Sequence, residues 1–212
     1  MKRIEVGLWL ISVLVIGLAA YEYYASQQQL TAYTWIPVYQ SISTNDVADY
    51  KYSFTADKDT QYYIYLDVER QRDFEKLQCL IGAAFLRNQC APEASRLDMD
   101  WEVLTSNAAI ATGSTRRTPS THSYWTQNVG KGVGEFAAHK GTLYAVNLHL
   151  HQALPELMVL HPKIKIAMHP LEFQAAQHTA NITGLITVSL VAFVVLSLAG
   201  FYFYKEHRHK TG

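Results

Sequence analysis

Runs of alternating apolar and polar residues recur through the middle of the chain. In TQYYIYLDV, one side holds Tyr62, Ile64, Leu66 and Val68, and RLDMDWEVL, YAVNLHLH and KIKIAMH repeat the pattern. A period of two is typical of strands that bury one face. Turn sequences such as DKDT and HKG separate the runs. The pattern predicts an all-β domain over residues 49–170, folded as an antiparallel β-sandwich or a jelly-roll-like relative of it.

The stretch FEKLQCLIGAAFLRNQC departs from this alternation and contains both cysteines of the chain, Cys79 and Cys90. Its apolar spacing predicts a helix over residues 73–86, although a strand followed by a loop fits as well. In an oxidising compartment a lone pair of cysteines forms a disulfide, which would stabilise the fold by roughly 3 kcal/mol. A redox or metal pair would favour CxxC spacing instead. We therefore predict a structural Cys79–Cys90 bridge.

Two apolar runs flank the predicted domain. Residues 182–204 contain no charged side chain, and residues 4–24 contain only Glu5 and Glu22, near the ends of the run. A helix needs roughly 20 apolar residues to cross a bilayer core of about 30 Å. Tyrosine and phenylalanine cluster at the ends of the runs, as expected at the level of the headgroups. We therefore predict two transmembrane α-helices.

Basic residues beside the two runs predict the orientation of the chain. Lys2 and Arg3 precede the first run, and Lys205, Arg208 and Lys210 follow the second. Since Lys and Arg concentrate on the cytoplasmic side, both termini are expected in the cytoplasm, with the domain in the periplasm of a bacterial inner membrane. The predicted segments are a cytoplasmic stub (1–3), a signal-anchor helix (4–24), a linker (25–48), the β-sandwich (49–170), a second linker (171–181), a second membrane helix (182–204) and a cytoplasmic tail (205–212).

The first apolar run also has features of a cleaved signal peptide, with a basic start and a short apolar core. A cut after Ala20 would place Leu18 three residues upstream, where a small residue is preferred. An uncleaved anchor is therefore the favoured interpretation. In both cases the domain that follows is exported.

Charge and motifs narrow the possible classes of function. The chain carries 18 Lys and Arg and 18 Asp and Glu, a balance that argues against nucleic acid as a partner. The motifs GxSxG and HExxH are absent, and GKGVGEF lacks the spacing of a phosphate-binding loop. We interpret GKGVGEF as a turn that leads into a strand. No cofactor is predicted, and a non-enzymatic function is favoured.

Two histidines form the candidate for a metal site. In YAVNLHLH, His149 and His151 share the polar side of a strand, and Glu156 follows. The HxH pattern resembles that of cupin-type metal sheets, but the preceding glycine and a second histidine-bearing half are missing. Because a catalytic zinc usually has three protein ligands, we favour a strand surface that faces solvent or a partner. A metal-dependent envelope enzyme is the alternative.

A row of carboxylates marks another predicted strand. Asp98, Asp100 and Glu102 alternate with apolar residues and therefore share one side. Such a row could hold calcium or meet a basic partner. Since calcium sites usually form in loops, a solvated strand surface is favoured.

The stretch TGSTRRTPSTHSYW is the most loop-like part of the domain and our candidate for partner binding. Its candidate residues are Arg116, Arg117, His122, Tyr124 and Trp125. Arg, Tyr and Trp carry much of the binding energy at protein interfaces, although a plain hairpin loop is a simpler interpretation. We expect a membrane-anchored extracytoplasmic protein-binding module. It would be either an immunity-type protein against a periplasm-acting toxin or an accessory subunit of an inner-membrane complex.

Overall fold

A computed structural model describes residues 2–70, 74–82, 96–106, 108–117 and 122–210 of the chain. The chain divides into two compact units. One consists of Met1–Tyr33 together with Leu171–Gly212, and the other of Thr34–Pro170. The first unit is helical, and the second contains the sheets.

Nine strands are present in the described part of the sheet unit. In chain order they are β1 (Val38–Ser41), β2 (Ala48–Thr55), β3 (Thr60–Glu69), β4 (Met99–Thr105), β5 (Ala108–Ser114), β6 (Ser123–Trp125), β7 (Asn128–Ala138), β8 (Leu143–Leu150) and β9 (Lys163–Met168). They form sheet A, in the order β1-β9-β3-β7-β6, and sheet B, in the order β2-β8-β4-β5. The strand pairs are antiparallel, as in the expected β-sandwich.

The inward side of each long strand follows the alternation of the sequence. In β3, Tyr62, Ile64 and Leu66 have no exposed surface, and Met99 and Val103 in β4 have none either. The aromatic rings of Phe54, Tyr62, Phe136 and Tyr144 pack together with centroids 5.2 to 6.3 Å apart. Burial of these side chains is the main force that holds a sandwich together.

The glycine-rich stretch GKGVGEF, interpreted as a turn that leads into a strand, lies wholly inside strand β7. Gly130 and Gly134 each lie against an aromatic ring, of Tyr124 and Trp101 respectively, and a methyl group at either glycine would overlap that ring. The glycines therefore serve the close approach of side chains to a strand. A bulge in β7 near Val133 adds a local change of register with β3.

The segments expected to be linkers are partly regular structure. Helix α1 runs from Lys2 to Ala32, and β1 also falls within the predicted linker 25–48. At the other end of the sheet unit, helix α3 begins at Pro170 and continues to Lys210, through the predicted linker 171–181. Residues 25–32, ASQQQLTA, contain neither glycine nor proline, so nothing in them ends α1. Proline suits the first turn of a helix, as at the start of α3.

Helix α3 is the one helix long and apolar enough to cross a membrane in the part of the chain that the structure describes. It contains the expected second span. The expected first span, residues 4–24, lies in α1 and stays a prediction.

The helical unit contains specific contacts between α1 and α3. Ala19 and Ala180 are buried, and Gly184 lies beside the ring of Tyr23. The hydroxyl of Thr187 donates a hydrogen bond of 3.1 Å to the carbonyl oxygen of Ala19. Small residues allow two helix backbones to approach closely, so these contacts hold α1 and α3 together as a pair.

A short helix, α2 (Phe74–Ile81), occupies part of the stretch predicted to be helical. Leu77 and Ile81 are its buried apolar residues. Cys79 lies on this helix, and none of the cysteines that the structure describes is free. Cys90 lies outside the described residues, so the Cys79–Cys90 bridge stays a prediction, which thiol labelling with and without a reductant would test.

Candidate functional site

A buried carboxylate organises the outer side of sheet A. Asp67, which is 3% exposed, accepts hydrogen bonds from the hydroxyls of Tyr39 (2.8 Å) and Tyr124 (2.9 Å) and from the side-chain amide of Asn128 (2.9 Å). The ammonium group of Lys165 donates to the Tyr124 hydroxyl over 3.2 Å. We call these five residues the Asp67 cluster. A carboxylate buried with several donors is stabilised in place and fixes the side chains around it.

Each strand of sheet A contributes one residue to the Asp67 cluster. Tyr39 comes from β1, Lys165 from β9, Asp67 from β3, Asn128 from β7 and Tyr124 from β6. Because strand residues alternate between the two sides of a sheet, the antiparallel register brings these side chains together from distant parts of the chain. The cluster therefore ties all five strands together on the side that faces away from the core.

The titration of the cluster follows from its burial. Burial, and then the hydrogen bond to Asp67, raises the pKa of Tyr39 to about 12. Burial and the charge of Asp67 also raise the pKa of Tyr124. Burial lowers the pKa of Lys165, while the charge of Asp67 acts in the opposite direction. Both phenols are therefore neutral donors near neutral pH, and the cluster positions aromatic rings rather than supplying a phenolate nucleophile.

Aromatic side chains extend the cluster across the sheet. Tyr65 contacts Tyr124 edge to face, with centroids 5.1 Å apart, and stacks on Tyr63 at 6.0 Å. The rings of His122 and His169 then pack on Tyr63 at 4.7 and 5.2 Å. The ammonium group of Lys165 lies 4.5 Å from the centroid of the Tyr124 ring. The result is a packed layer of aromatic rings on the outer side of sheet A, much of it buried, with Tyr39 and Tyr124 at its edge.

The opposite outer face, on sheet B, carries paired charges. Asp49, His149, Asp100 and Ser114 stand in register across its four strands. Nδ1 of His149 lies 2.5 Å from Oδ1 of Asp49, and Nε2 of His151 lies 2.9 Å from Oδ2 of Asp100. The hydrogen bond with His151, followed by those with Ser114 and Arg117, lowers the pKa of Asp100 to about 2. Each imidazole thus has a carboxylate partner on a neighbouring strand.

The arrangement does not support the proposed set of metal ligands. The rings of His149 and His151 are adjacent, with centroids 4.4 Å apart. Glu156 does not join them, because its carboxylate pairs with Arg96 over 2.6 Å. Among the described residues, no group of three or more His, Cys, Asp or Glu side chains could hold a metal ion.

The three carboxylates predicted to share one side of a strand lie on β4 or directly before it, and each pairs with a side chain of the same domain. Arg116 pairs with Asp98 at 3.2 Å, and Arg117 pairs with Asp100 at 2.9 Å. Glu102 accepts a hydrogen bond of 3.3 Å from the side chain of Asn147. Two of the predicted binding residues therefore lie beside sheet B, directly after β5, and both guanidinium groups are largely exposed.

The other three predicted binding residues lie on or beside β6, in sheet A. His122 pairs with Glu135 at 3.3 Å, and Tyr124 belongs to the Asp67 cluster. Trp125 is 48% exposed and pairs in register with Val129, a core residue, so it points to the other side of β6 from Tyr124. The stretch predicted as one binding loop thus contributes to two sheets, and a binding role for each residue stays a prediction.

Sequence reasoning missed the centre of the site. Asp67 sits at a polar position of a predicted strand, and no motif distinguishes it from an ordinary surface carboxylate. Its partners Tyr39, Tyr124 and Asn128 are 28, 57 and 61 residues away along the chain. The available signal was Tyr63 and Tyr65, which precede Asp67 in YYIYLDV on the same side of the strand, since tyrosine hydroxyls need polar partners when buried.

Comparison with known proteins assigns neither a family nor a function to this chain. No family model matches the chain, and no curated protein matches it. A crystal structure of a protein from Sulfurospirillum deleyianum is similar in part, with 10% sequence identity and a TM-score of 0.43. The match covers 63% of this chain and 97% of that chain. At this TM-score the similarity carries no argument about fold or function.

Proposed function

We propose that this protein is a membrane-anchored extracytoplasmic protein-binding module that meets its partner through the outer side of sheet A. The observation that carries the proposal is the Asp67 cluster, in which a buried carboxylate holds Tyr39 and Tyr124 in fixed positions. Tyrosine is enriched among the residues that dominate binding energy at interfaces. Side chains that are already fixed lose little conformational entropy when a partner binds.

The exposed part of this surface suits a protein partner. Tyr39 is 45% exposed although its hydroxyl is held by Asp67. The ammonium group of Lys163 lies 4.8 Å from the centroid of the Tyr39 ring, and His122 and Glu135 are partly exposed at the far end. An aromatic centre with charged groups at its edge is the usual anatomy of a protein interface.

The proposal also includes attachment of the sheet unit to a membrane. The apolar helix α3 supports attachment to a bilayer. We propose that residues 4–24 form a second span. Because basic residues flank both apolar runs, both termini are placed in the cytoplasm and the sheet unit on the other side of the membrane. In a bacterial inner membrane that side is the periplasm. The contact between Thr187 and Ala19 supports retention of α1 as a partner of α3 rather than its removal as a signal peptide.

Two forms of this function differ in the partner. An immunity-type protein would bind a toxin that acts in the periplasm, whereas an accessory subunit would bind a resident complex of the inner membrane. The identity of the recovered partner distinguishes the two forms. A toxin is recovered only when it is present in the periplasm, whereas a resident complex is recovered at all times.

Site-directed crosslinking tests the proposal in the full chain in its own membrane. Benzoylphenylalanine at Tyr39 is expected to form an adduct with one partner protein. Benzoylphenylalanine in place of Leu143 is the matched control. Leu143 lies in sheet B and is 63% exposed, so this variant should not form that adduct.

A substitution then measures the contribution of the ring. Tyr39→Ala should weaken binding of the recovered partner by about thirtyfold, the effect of losing a contact of about 2 kcal/mol, while Leu143→Ala should leave binding unchanged. Trp125→Ala, Arg116→Ala and Arg117→Ala test the remaining predicted contacts. Equal crosslinking at Tyr39 and Leu143, or full binding by Tyr39→Ala, would refute the use of sheet A.

A further inference from the structure

A lysine stands beside the exposed ring of the proposed binding surface. Lys163 in β9 pairs in register with Ser41 of β1 and with Asp67 of β3, so its side chain lies on the outer side of sheet A. Its ammonium group lies 4.8 Å from the centroid of the Tyr39 ring. Lys163 is partly buried, whereas Tyr39 and Ser41 are exposed. A protein that covers the Tyr39 ring therefore also covers this ammonium group.

No described residue neutralises the ammonium group of Lys163 by direct contact. In the part of the chain that the structure describes, the side chain of Lys163 takes part in no ion pair and no hydrogen bond. The carboxylate of Asp67, although adjacent in register, accepts its hydrogen bonds from neutral donors of the Asp67 cluster. Glu69, two residues further along β3, pairs with His161 at 3.0 Å. Lys163 is thus a cation whose contact within the domain is an aromatic ring.

The charges of the Asp67 cluster balance without Lys163. Asp67 supplies a carboxylate and Lys165 an ammonium group, which donates a hydrogen bond of 3.2 Å to the hydroxyl of Tyr124. The two charges act on each other, since burial lowers the pKa of Lys165 and the charge of Asp67 opposes this effect. Lys163 therefore adds a positive charge at the edge of a neutral aromatic surface, next to Tyr39.

Burial of a lysine ammonium group beneath a partner has a large cost unless a counter-charge is supplied. The described residues of this chain do not supply it by contact, so the partner has to. We infer that the partner presents an aspartate or glutamate side chain to Lys163, beside the apolar atoms that cover the Tyr39 ring. The inference rests on the proposed function and names the chemistry of the segment that the partner brings to this surface.

An ion pair at Lys163 would determine which protein binds. A protein with a lysine or arginine at the same place is excluded, because like charges brought together at an interface are strongly unfavourable. A phosphate ion has the required charge but no apolar atoms to cover the ring of Tyr39. A protein segment with an acidic residue beside apolar ones fits both features of the surface.

Benzoylphenylalanine at Ser41 locates the segment that faces Lys163. Ser41 is exposed and pairs in register with Lys163, so this variant leaves Lys163 and Tyr39 in place. In the full chain in its own membrane, position 41 is expected to form an adduct with the partner that position 39 also captures. Mass spectrometry of the digested adduct identifies the acidic residues nearest the attachment point, which are the candidates for the pair.

Substitutions at Lys163 then measure the pair, with the recovered partner as the probe. Lys163→Met removes the charge but keeps an unbranched side chain over the Tyr39 ring, and it should weaken binding at least about tenfold. Lys163→Glu sets two like charges against each other and should weaken binding at least about a hundredfold. Lys163→Arg keeps the charge and should bind within about threefold of the parent. Lys51→Glu, on an exposed position of β2 in sheet B, makes the same change in net charge and should leave binding unchanged.

An exchange of charges across the interface identifies the pair directly. When the partner's acidic residue is replaced by lysine, Lys163→Glu should bind this partner at least about tenfold more tightly than it binds the unmodified partner. A pair in direct contact also affects dissociation, so Lys163→Met should raise the dissociation rate. Binding is compared at equal concentrations of folded chain, determined for each variant by thermal unfolding.

Several results would overturn the inference while capture at Tyr39 leaves the proposed function intact. These are unchanged binding by Lys163→Met, failure of every acidic residue near the attachment point to restore Lys163→Glu, and an adduct of position 41 with a phospholipid instead of a protein. A loss of binding confined to the association rate has the same consequence, because it indicates long-range attraction without a contact. Capture at neither position 39 nor position 41 contradicts both proposals.

Discussion

The ring of Tyr124 lies directly on Gly130, its partner across the β6 and β7 pairing. The absence of a side chain at Gly130 lets the phenol reach Asp67 and donate its hydrogen bond. Gly130 therefore makes room for a hydrogen bond that joins β6 to β3 through the buried carboxylate of Asp67.

A methyl group at Gly130 tests this relationship. Gly130→Ala should destabilise the sheet unit by about 1–3 kcal/mol, because the methyl group displaces the Tyr124 ring from Asp67. Urea unfolding of the detergent-solubilised chain measures the change in the free energy of unfolding. In a Tyr124→Ala background the same substitution should cost little, since the ring is gone. An equal cost in both backgrounds would contradict the packing described.

Alkaline conditions should destabilise the domain through its buried tyrosines. Burial is the main reason that the pKa values of Tyr39, Tyr52 and Tyr62 are raised to about 12. The corresponding value in the unfolded chain is about 10, so the unfolded state loses these protons first. Stability should be complete below about pH 10 and decrease as the pH rises towards about 12. Unfolding curves across this range, with phenolate absorbance recorded in parallel, measure the effect. Stability that does not change over that interval would rule the effect out.

Asp100 should contribute stability that is lost in acid. Its pKa is lowered to about 2, first by the hydrogen bond with His151, whereas an unfolded aspartate titrates near about 4. The contribution is therefore present above about pH 4 and disappears as the pH decreases through about 2. Asp100→Asn should destabilise the domain by about 1 kcal/mol at neutral pH, a modest effect because the pair is partly exposed. The difference between the two proteins should vanish at about pH 2, and its persistence there would contradict the assignment.

The location of the sheet unit can be tested with reporters that are active only in the periplasm. A reporter inserted after Arg117, beyond the end of β5, is expected to be active. A reporter fused after Gly212 is expected to be inactive, because basic residues follow the second apolar run. Activity only at the C-terminal position would reverse the orientation, and activity at both would mean that one span is absent.

Local pattern was enough to identify the core sides of the strands. Leu97, Met99 and Val103 are buried as the alternation in RLDMDWEVL predicts, and Ile164 and Ile166 are buried as predicted from KIKIAMH. A strand places successive side chains on opposite sides whatever its neighbours are, so this information is present in the sequence itself. For the same reason the antiparallel two-sheet architecture could be predicted, whereas the ends of α1, α2 and α3 differ from the predicted limits.

The burial of the outward-facing side chains could not be predicted from the sequence, because it depends on the tertiary structure. Tyr63, Tyr65 and Asp67 alternate with core residues, a pattern that indicates solvent, yet each is less than 5% exposed. They are covered by Tyr124 and by other side chains from distant strands, among them His122 of the predicted binding loop. The same holds for sheet B, where the carboxylates of β4 face guanidinium and imidazole groups supplied by other segments.

The sequence by itself determined that the domain is built of antiparallel strands, which side of the long alternating strands enters the core, and where an apolar helix long enough for a membrane lies. These properties depend on local periodicity and on side-chain hydrophobicity. Only the tertiary structure decided which strands are neighbours, that Asp67 is buried among three donors, and that β5 is an uncharged edge. The physical reason is that strand pairing and polar contacts join residues far apart in the chain, and their partners are selected by register and packing rather than by any local motif.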